Sequence, residues 1–144
     1  MTSPSAADPI AALNEVLSEV IDLIQEVKQA HRTVSETHSL HVELDKLFDD
    51  LRRWGRLLME EDEALGASPL ASMPSVAGRQ PPNLWPTGAT DEEVRLFVGD
   101  QLNRLSKHLV AALADQNDEG SRAVLSGVEQ ELLGHIQLLN ETRA

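Results

Sequence analysis

Three of the five histidines in this 144-residue chain, His31, His38 and His41, fall within eleven residues, and Asp45 follows one helical turn after His41. Imidazole nitrogen and carboxylate oxygen at such spacing form a ligand set of the kind that suits iron, zinc or manganese. The same residues have a plainer use. His31 lies on an apolar stripe, between Val27 and Val34, where a histidine is at home as a core residue. His41 and Asp45 are spaced as an ordinary i, i+4 pair on a helix surface. Which reading holds depends on the elements that carry them.

Those elements read as helices. Asp8-Pro9 supplies a capping residue followed by proline in the first turn. Apolar residues then recur at Ile10, Leu13, Val16/Leu17, Val20/Ile21, Ile24, Val27 and Val34, which predicts a helix from Pro9 to about Glu36. Thr37 to Ser39 breaks the pattern. A second stripe, Leu40, Leu44, Leu47/Phe48, Leu51, Trp54, Leu58 and Leu65, predicts a helix over Leu40–Leu65 that stops at Gly66. Thr90 with Glu93 forms a capping box that opens a third helix over Asp91–Asp115, along Val94, Val98, Leu102, Leu105 and Leu109. A polar break leads to a fourth over Gly120–Glu141, along Val124/Leu125, Val128, Leu132, Ile136 and Leu139. Strand-like alternation is absent. The core has few aromatics (Phe48, Trp54, Trp85 and Phe97) and must be built from Leu, Val, Ile and Ala, which favours packed helices.

Residues 67–89 differ in kind, holding five of the seven prolines: Pro69, Pro74, Pro81, Pro82 and Pro86. Up-down bundles need only short turns, whereas a connection this long can cross a bundle and join two parallel helices. The expected fold is therefore all-α, a ferritin-like four-helix bundle with a long crossover link between helices two and three. Residues 1–8 would form a short disordered tail and residues 9–144 a single domain.

On the second helix, at about 100° per residue, His41, Asp45, Arg56 and Glu60 share one face, an arc of about 100°. Asp45 and Glu60 are nevertheless roughly 22 Å apart along the axis and cannot hold one ion within a chain. They meet only if another copy, running antiparallel, brings its Glu60 beside the first copy's His41 and Asp45, which a two-fold interface does twice over. Taken alone, Glu60-Glu61-Asp62-Glu63 is a solvated acidic end. His108 and His135 have no partner at ligand spacing in the sequence and read as ordinary helix residues.

The chain resembles the Dps family, the miniature ferritins also called DNA-binding proteins from starved cells. The family carries a run like Ala-His-Trp-Asn-Val, a short loop, Leu-His-Glu-Leu-Phe-Asp, and later Ala-Glu-Arg before Ala-Leu-Gly. Here the matching stretches are Ala30-His31-Arg32-Thr33-Val34, Leu40-His41-Val42-Glu43-Leu44-Asp45, Met59-Glu60 and Ala64-Leu65-Gly66. Asp115 to Ser121 is similar to the Gly-Asp-x-Gly-Thr opening of the family's last helix. The resemblance spans Ile10 to about Leu139. It implies iron bound between subunits, with His31, His41 and Asp45 from one chain and Glu60 from another. Zinc or manganese would fit the same donors. The family's second aspartate, four residues before that glutamate, corresponds to Arg56, which cannot ligate a metal. The tryptophan after the first histidine is Arg32, and the loop between the histidines is two residues shorter. His38 is the candidate substitute ligand.

The resemblance further implies a dodecameric homo-oligomeric shell that oxidises ferrous iron with peroxide or oxygen, stores it, and so guards against oxidative stress. Two other functions compete: a ferritin-like scaffold that has lost ferroxidase activity, and a helical adaptor protein. A formal net charge of −12 repels phosphate and attracts cations. Met1 to Asp8 holds no base and Arg143 is the only one near the C-terminus, so no DNA binding is expected. There is no cysteine, hence no thiolate ligand or disulfide. Met1 to Ala7 lacks the basic and apolar regions of a secretory signal, and no run of about 18 apolar residues exists, so the expected location is cytoplasmic, off the membrane.

Overall fold

The computed structural model describes residues 9–36, 38–66 and 89–142. Four helices account for nearly all of them: α1 over Pro9–Thr33, α2 over Ser39–Ala64, α3 over Asp91–Asp115 and α4 over Glu119–Glu141. No strand occurs among the described residues. Asp8, the expected cap of α1, lies outside them, as do the tail 1–8 and the link 67–88.

The helix ends follow from local chemistry. α1 stops three residues before the expected Glu36. Thr33 donates its hydroxyl to the Gln29 carbonyl at 2.9 Å and Val34 N–H still bonds the Ala30 carbonyl at 3.0 Å, but the Ser35 N–H turns away to the Asp91 carboxylate at 3.3 Å. At the start of α2, His38 is the N-cap, its Nδ1 accepting the Leu40 N–H at 3.0 Å. α2 closes at Gly66 with φ 91°, a left-handed conformation that glycine adopts without a Cβ clash. Thr90 and Glu93 make the capping box of α3. Asp118 caps α4 by accepting the Ser121 N–H at 2.9 Å.

α1 packs on α2 and α3, and α4 packs on the same two. The Ser35–Asp91 bond ties the end of α1 to the start of α3. Ser121 Oγ donates to Glu61 at 3.2 Å and ties the start of α4 to the end of α2. The end of α2 and the start of α3 therefore lie at opposite ends of the bundle, about 39 Å apart for a helix of 26 residues. This is the ferritin-like connectivity, with the crossover between helices two and three.

The four apolar stripes converge on one core. Leu13, Leu17, Leu40, Leu44, Leu51, Leu58, Leu102, Leu105, Leu109 and Leu125 are fully buried, with Trp54 the largest side chain among them. Each such leucine contributes on the order of 2 kcal/mol by leaving water, which holds α1 against α2 and thereby fixes the turn between them.

Candidate metal half-site at the α1–α2 turn

His31 lies in the last turn of α1 and His41 in the first turn of α2. Ala30 and Val34 on one side and Leu40 and Leu44 on the other are buried, so the two helix ends are pressed together. That packing sets the imidazoles side by side, ring centroids 3.9 Å apart and inclined at 34°. His31 Nε2 stands 3.9 Å from Asp45 Oδ1, with the histidine side chain 31% and the carboxylate 67% exposed. This separation is too long for a hydrogen bond. The trio opens outward, not into the core.

The arrangement is not a closed site. Among the described residues, no three His, Asp or Glu side chains of one chain close around an ion in the conformers present. Glu60 is exposed near the far end of α2 and does not approach the trio. Arg56 is exposed on the same strip, one turn before it. His38 is half-buried and spends Nδ1 on the Leu40 N–H, which leaves only Nε2 for any ligand.

Comparison with solved structures identifies the architecture. A structure of Dps92 from Deinococcus radiodurans superposes with a TM-score of 0.82, covering 96% of this chain and 87% of that one at 21% identity. Dps from Staphylococcus aureus superposes with a TM-score of 0.81, covering 93% of each chain at 18% identity. This chain has the Dps fold. No protein-family model matches the sequence, and no curated protein matches it either.

Within the Dps fold, three polar groupings were not legible in the sequence. Across α2 and α4, His135 donates Nε2–H to Asp50 Oδ2 at 2.6 Å and meets the edge of Trp54, ring centroids 5.8 Å apart. Asp50 also accepts from Arg53 at 3.0 Å. Arg53 reaches Glu131, which accepts the Trp54 Nε1–H at 3.2 Å. Burial pushes the Asp50 carboxyl up, but the bonds from His135 and Arg53 outweigh it and hold the group below its usual range. His108 pairs with Glu19 of α1 at 2.5 Å. Neither histidine has a partner at close spacing, because both partners sit on other helices, more than 80 residues away.

Two buried acids are the third surprise. Glu26 is 8% exposed and its Oε2 has no hydrogen-bond partner. Burial, then the charge of Asp22, raises its pKa from 4.5 to about 7, against the opposing pull of Arg104. The acidic run at the end of α2 is only partly the solvated end that composition suggests. Glu60 and Glu63 are exposed, but Asp62 is fully buried with both carboxylate oxygens unpartnered. Its position explains this: Asp62 continues the core stripe of Leu51, Trp54 and Leu58. Burial and the neighbouring Glu61 raise its pKa from 3.8 to about 6.

Proposed function

We propose that this chain is a member of the Dps family that binds ferrous iron at sites shared between subunits, oxidises it and stores it in a homo-oligomeric shell. The observation that carries the reading is the juxtaposition of His31, His41 and Asp45 at the α1–α2 turn, the imidazoles side by side and the carboxylate exposed. Glu60 of a neighbouring chain completes the set, because α2 alone holds it roughly 22 Å from Asp45. Neutral imidazole with carboxylate is a donor set for ferrous iron, and zinc or manganese would compete for it.

In the reaction two ferrous ions each give up one electron. The O–O bond of peroxide breaks and two protons are taken up, giving two waters; oxygen serves as the alternative oxidant. The protein's part is to hold the iron while this happens, so that electrons leave in a controlled way. The surplus of acids draws cations toward the shell. The dodecameric assembly and a cytoplasmic location belong to the same proposal. So does the absence of DNA binding, since an acidic chain lacks the electrostatic grip on a duplex. No described helix is long and apolar enough to cross a membrane.

One observation favours a second reading, a scaffold without ferroxidase activity: Arg56 stands where the resemblance calls for a carboxylate, so a second iron has lost an anionic ligand and met a cation. Anaerobic ferrous titration decides between them. The ferroxidase reading expects a saturable step that His31→Ala and His41→Ala each remove. No saturable step, or a step unchanged by both substitutions, overturns the metal assignment. A monomer by light scattering at micromolar concentration, with or without iron, favours the adaptor class instead.

A further inference from the structure

The apolar stripe of α1 runs on to Val34, and neither glycine nor proline stands between Val34 and Glu36. The helix nevertheless ends at Thr33. Its last ladder bond runs from the Val34 N–H to the Ala30 carbonyl at 3.0 Å. The next would run from the Ser35 N–H to the His31 carbonyl, four residues back. The Ser35 N–H instead bonds Asp91 Oδ1, on the first residue of α3, at 3.3 Å. α1 therefore stops one bond short of the residue whose imidazole faces His41.

From Ser35 the bonds continue to the second histidine. The Ser35 carbonyl accepts the His38 N–H at 3.0 Å, and the His38 carbonyl accepts the His41 N–H at 3.0 Å. His38 Nδ1 accepts the Leu40 N–H at 3.0 Å and caps α2. Ser35 is thus the pivot of the turn. Its N–H is held by α3, and its carbonyl holds the start of α2. Burial of Ala30, Val34, Leu40 and Leu44 presses the two helix ends together, but apolar burial is non-directional. The bonds through Ser35 add the register.

Asp91 is available for this task because its neighbours cap α3. Thr90 accepts the Glu93 N–H at 3.1 Å, and Glu93 accepts the Thr90 N–H at 2.9 Å. The dipole of α3 favours a carboxylate in its first turn. A charged acceptor also competes well with a peptide carbonyl for an N–H.

We propose that Asp91 is a positioning residue for the candidate metal site: by holding the Ser35 N–H it ends α1 before His31 is tied into another turn, and so keeps the His31 imidazole against that of His41. The proposal rests on the metal reading above and names what aligns its first two ligands. Without the carboxylate, the Ser35 N–H returns to the His31 carbonyl, α1 grows toward Glu36, the turn to α2 shortens and the two rings part.

Asp91→Ala and Asp91→Asn in the full chain test this. Asparagine keeps an acceptor oxygen at the same reach and loses the charge. Mass in solution, metal-free crystal structures and anaerobic ferrous titration are compared with the parent. Asp91→Ala should keep the parent's mass, show helical bonding beyond Thr33, and hold the imidazole centroids farther apart than 3.9 Å. Its saturable ferrous step should weaken by roughly tenfold with the number of sites unchanged. Asp91→Asn should restore the helix end, the ring contact and the affinity. That rescue separates the bond from the first-turn charge of α3, which both substitutions remove. An α1 that still ends at Thr33 in Asp91→Ala with the rings in contact, or an asparagine variant as weak as the alanine one, overturns the proposal. The crystal readout does not depend on metal. If the rings part in Asp91→Ala while even the parent shows no ferrous step, the positioning stands and the metal reading falls. If every protein shows the same ferrous step, the metal reading stands and the positioning falls.

Discussion

Replacing Glu26 with glutamine should make the bundle more stable at alkaline pH and leave it nearly unchanged in acid. Glu26 is nine-tenths buried on α1, with Asp22 and Glu19 on its own helix and Arg104 on α3 as the charges that reach it. Burial and the two acids outweigh the arginine, and the pKa rises from 4.5 to about 7. A shift of about 2.5 units corresponds to about 3 kcal/mol at 1.36 kcal/mol per unit. The sign follows from proton counting. Between pH 4.5 and about 7 the folded chain holds a proton that the unfolded chain has released, so stability falls as pH rises through this window. The contribution is fully present below the unfolded pKa and lost above the folded one. Glutamine removes the titration but keeps a buried polar group with an unmet hydrogen bond, which costs about 1 kcal/mol. The net gain expected at pH 8 is about 2 kcal/mol.

Urea unfolding of the parent and Glu26→Gln, at matched protein concentration because assembly adds to apparent stability, measures this at pH 5 and pH 8. The two proteins should lie within about 1 kcal/mol of each other in acid and diverge as pH rises. Asp62 is shifted in the same direction, so the parent's own pH curve mixes both acids. The difference between parent and variant cancels that contribution. Pairs of curves that stay parallel from pH 5 to pH 8 would refute the reasoning, since they would mean that Glu26 is ionised in the fold throughout.

Two further outcomes are expected. Arg56→Asp should accelerate ferrous oxidation by peroxide, followed by ferric absorbance after rapid mixing, because it restores an anionic ligand beside the second iron. An unchanged or slower rate in a preparation of parent-like mass counts against Arg56 as the limiting departure. Plasmid DNA should migrate unshifted with the protein at physiological salt and neutral pH, since the formal net charge of −12 repels phosphate. A retarded band would show a binding surface that the charge balance hides.

The fold was legible because its determinants are local. Periodic leucine and valine placed all four helices. The capping box at Thr90 and Glu93 and the left-handed Gly66 placed two helix ends. The length of the proline-rich link set the connectivity. The boundaries of α2 and the start of α4 differ from expectation by one residue; the largest difference, three residues at the end of α1, depends on a distant group: the Ser35 N–H is drawn off by Asp91, 56 residues later. Buried polar groups were missed for two reasons. Asp62 in a run of four acids looks solvated until α2 is wound up and its position is seen to continue the leucine stripe. His135 looks like any helix residue until α4 is laid antiparallel on α2 and Asp50 meets it. The burial of Asp62 follows from spacing along α2, whereas the His135 contact needs two elements.

The metal half-site lies between these cases. His41 and Asp45 share a helix, so their common face could be read from spacing alone. His31 joins them only because the α1–α2 turn is short and both flanking helices bury their last apolar residues against each other, which the two stripes also imply. Glu60 is different, since no folding of one chain brings it near. The separation of Asp45 from Glu60 along a rigid helix makes them partners only between chains.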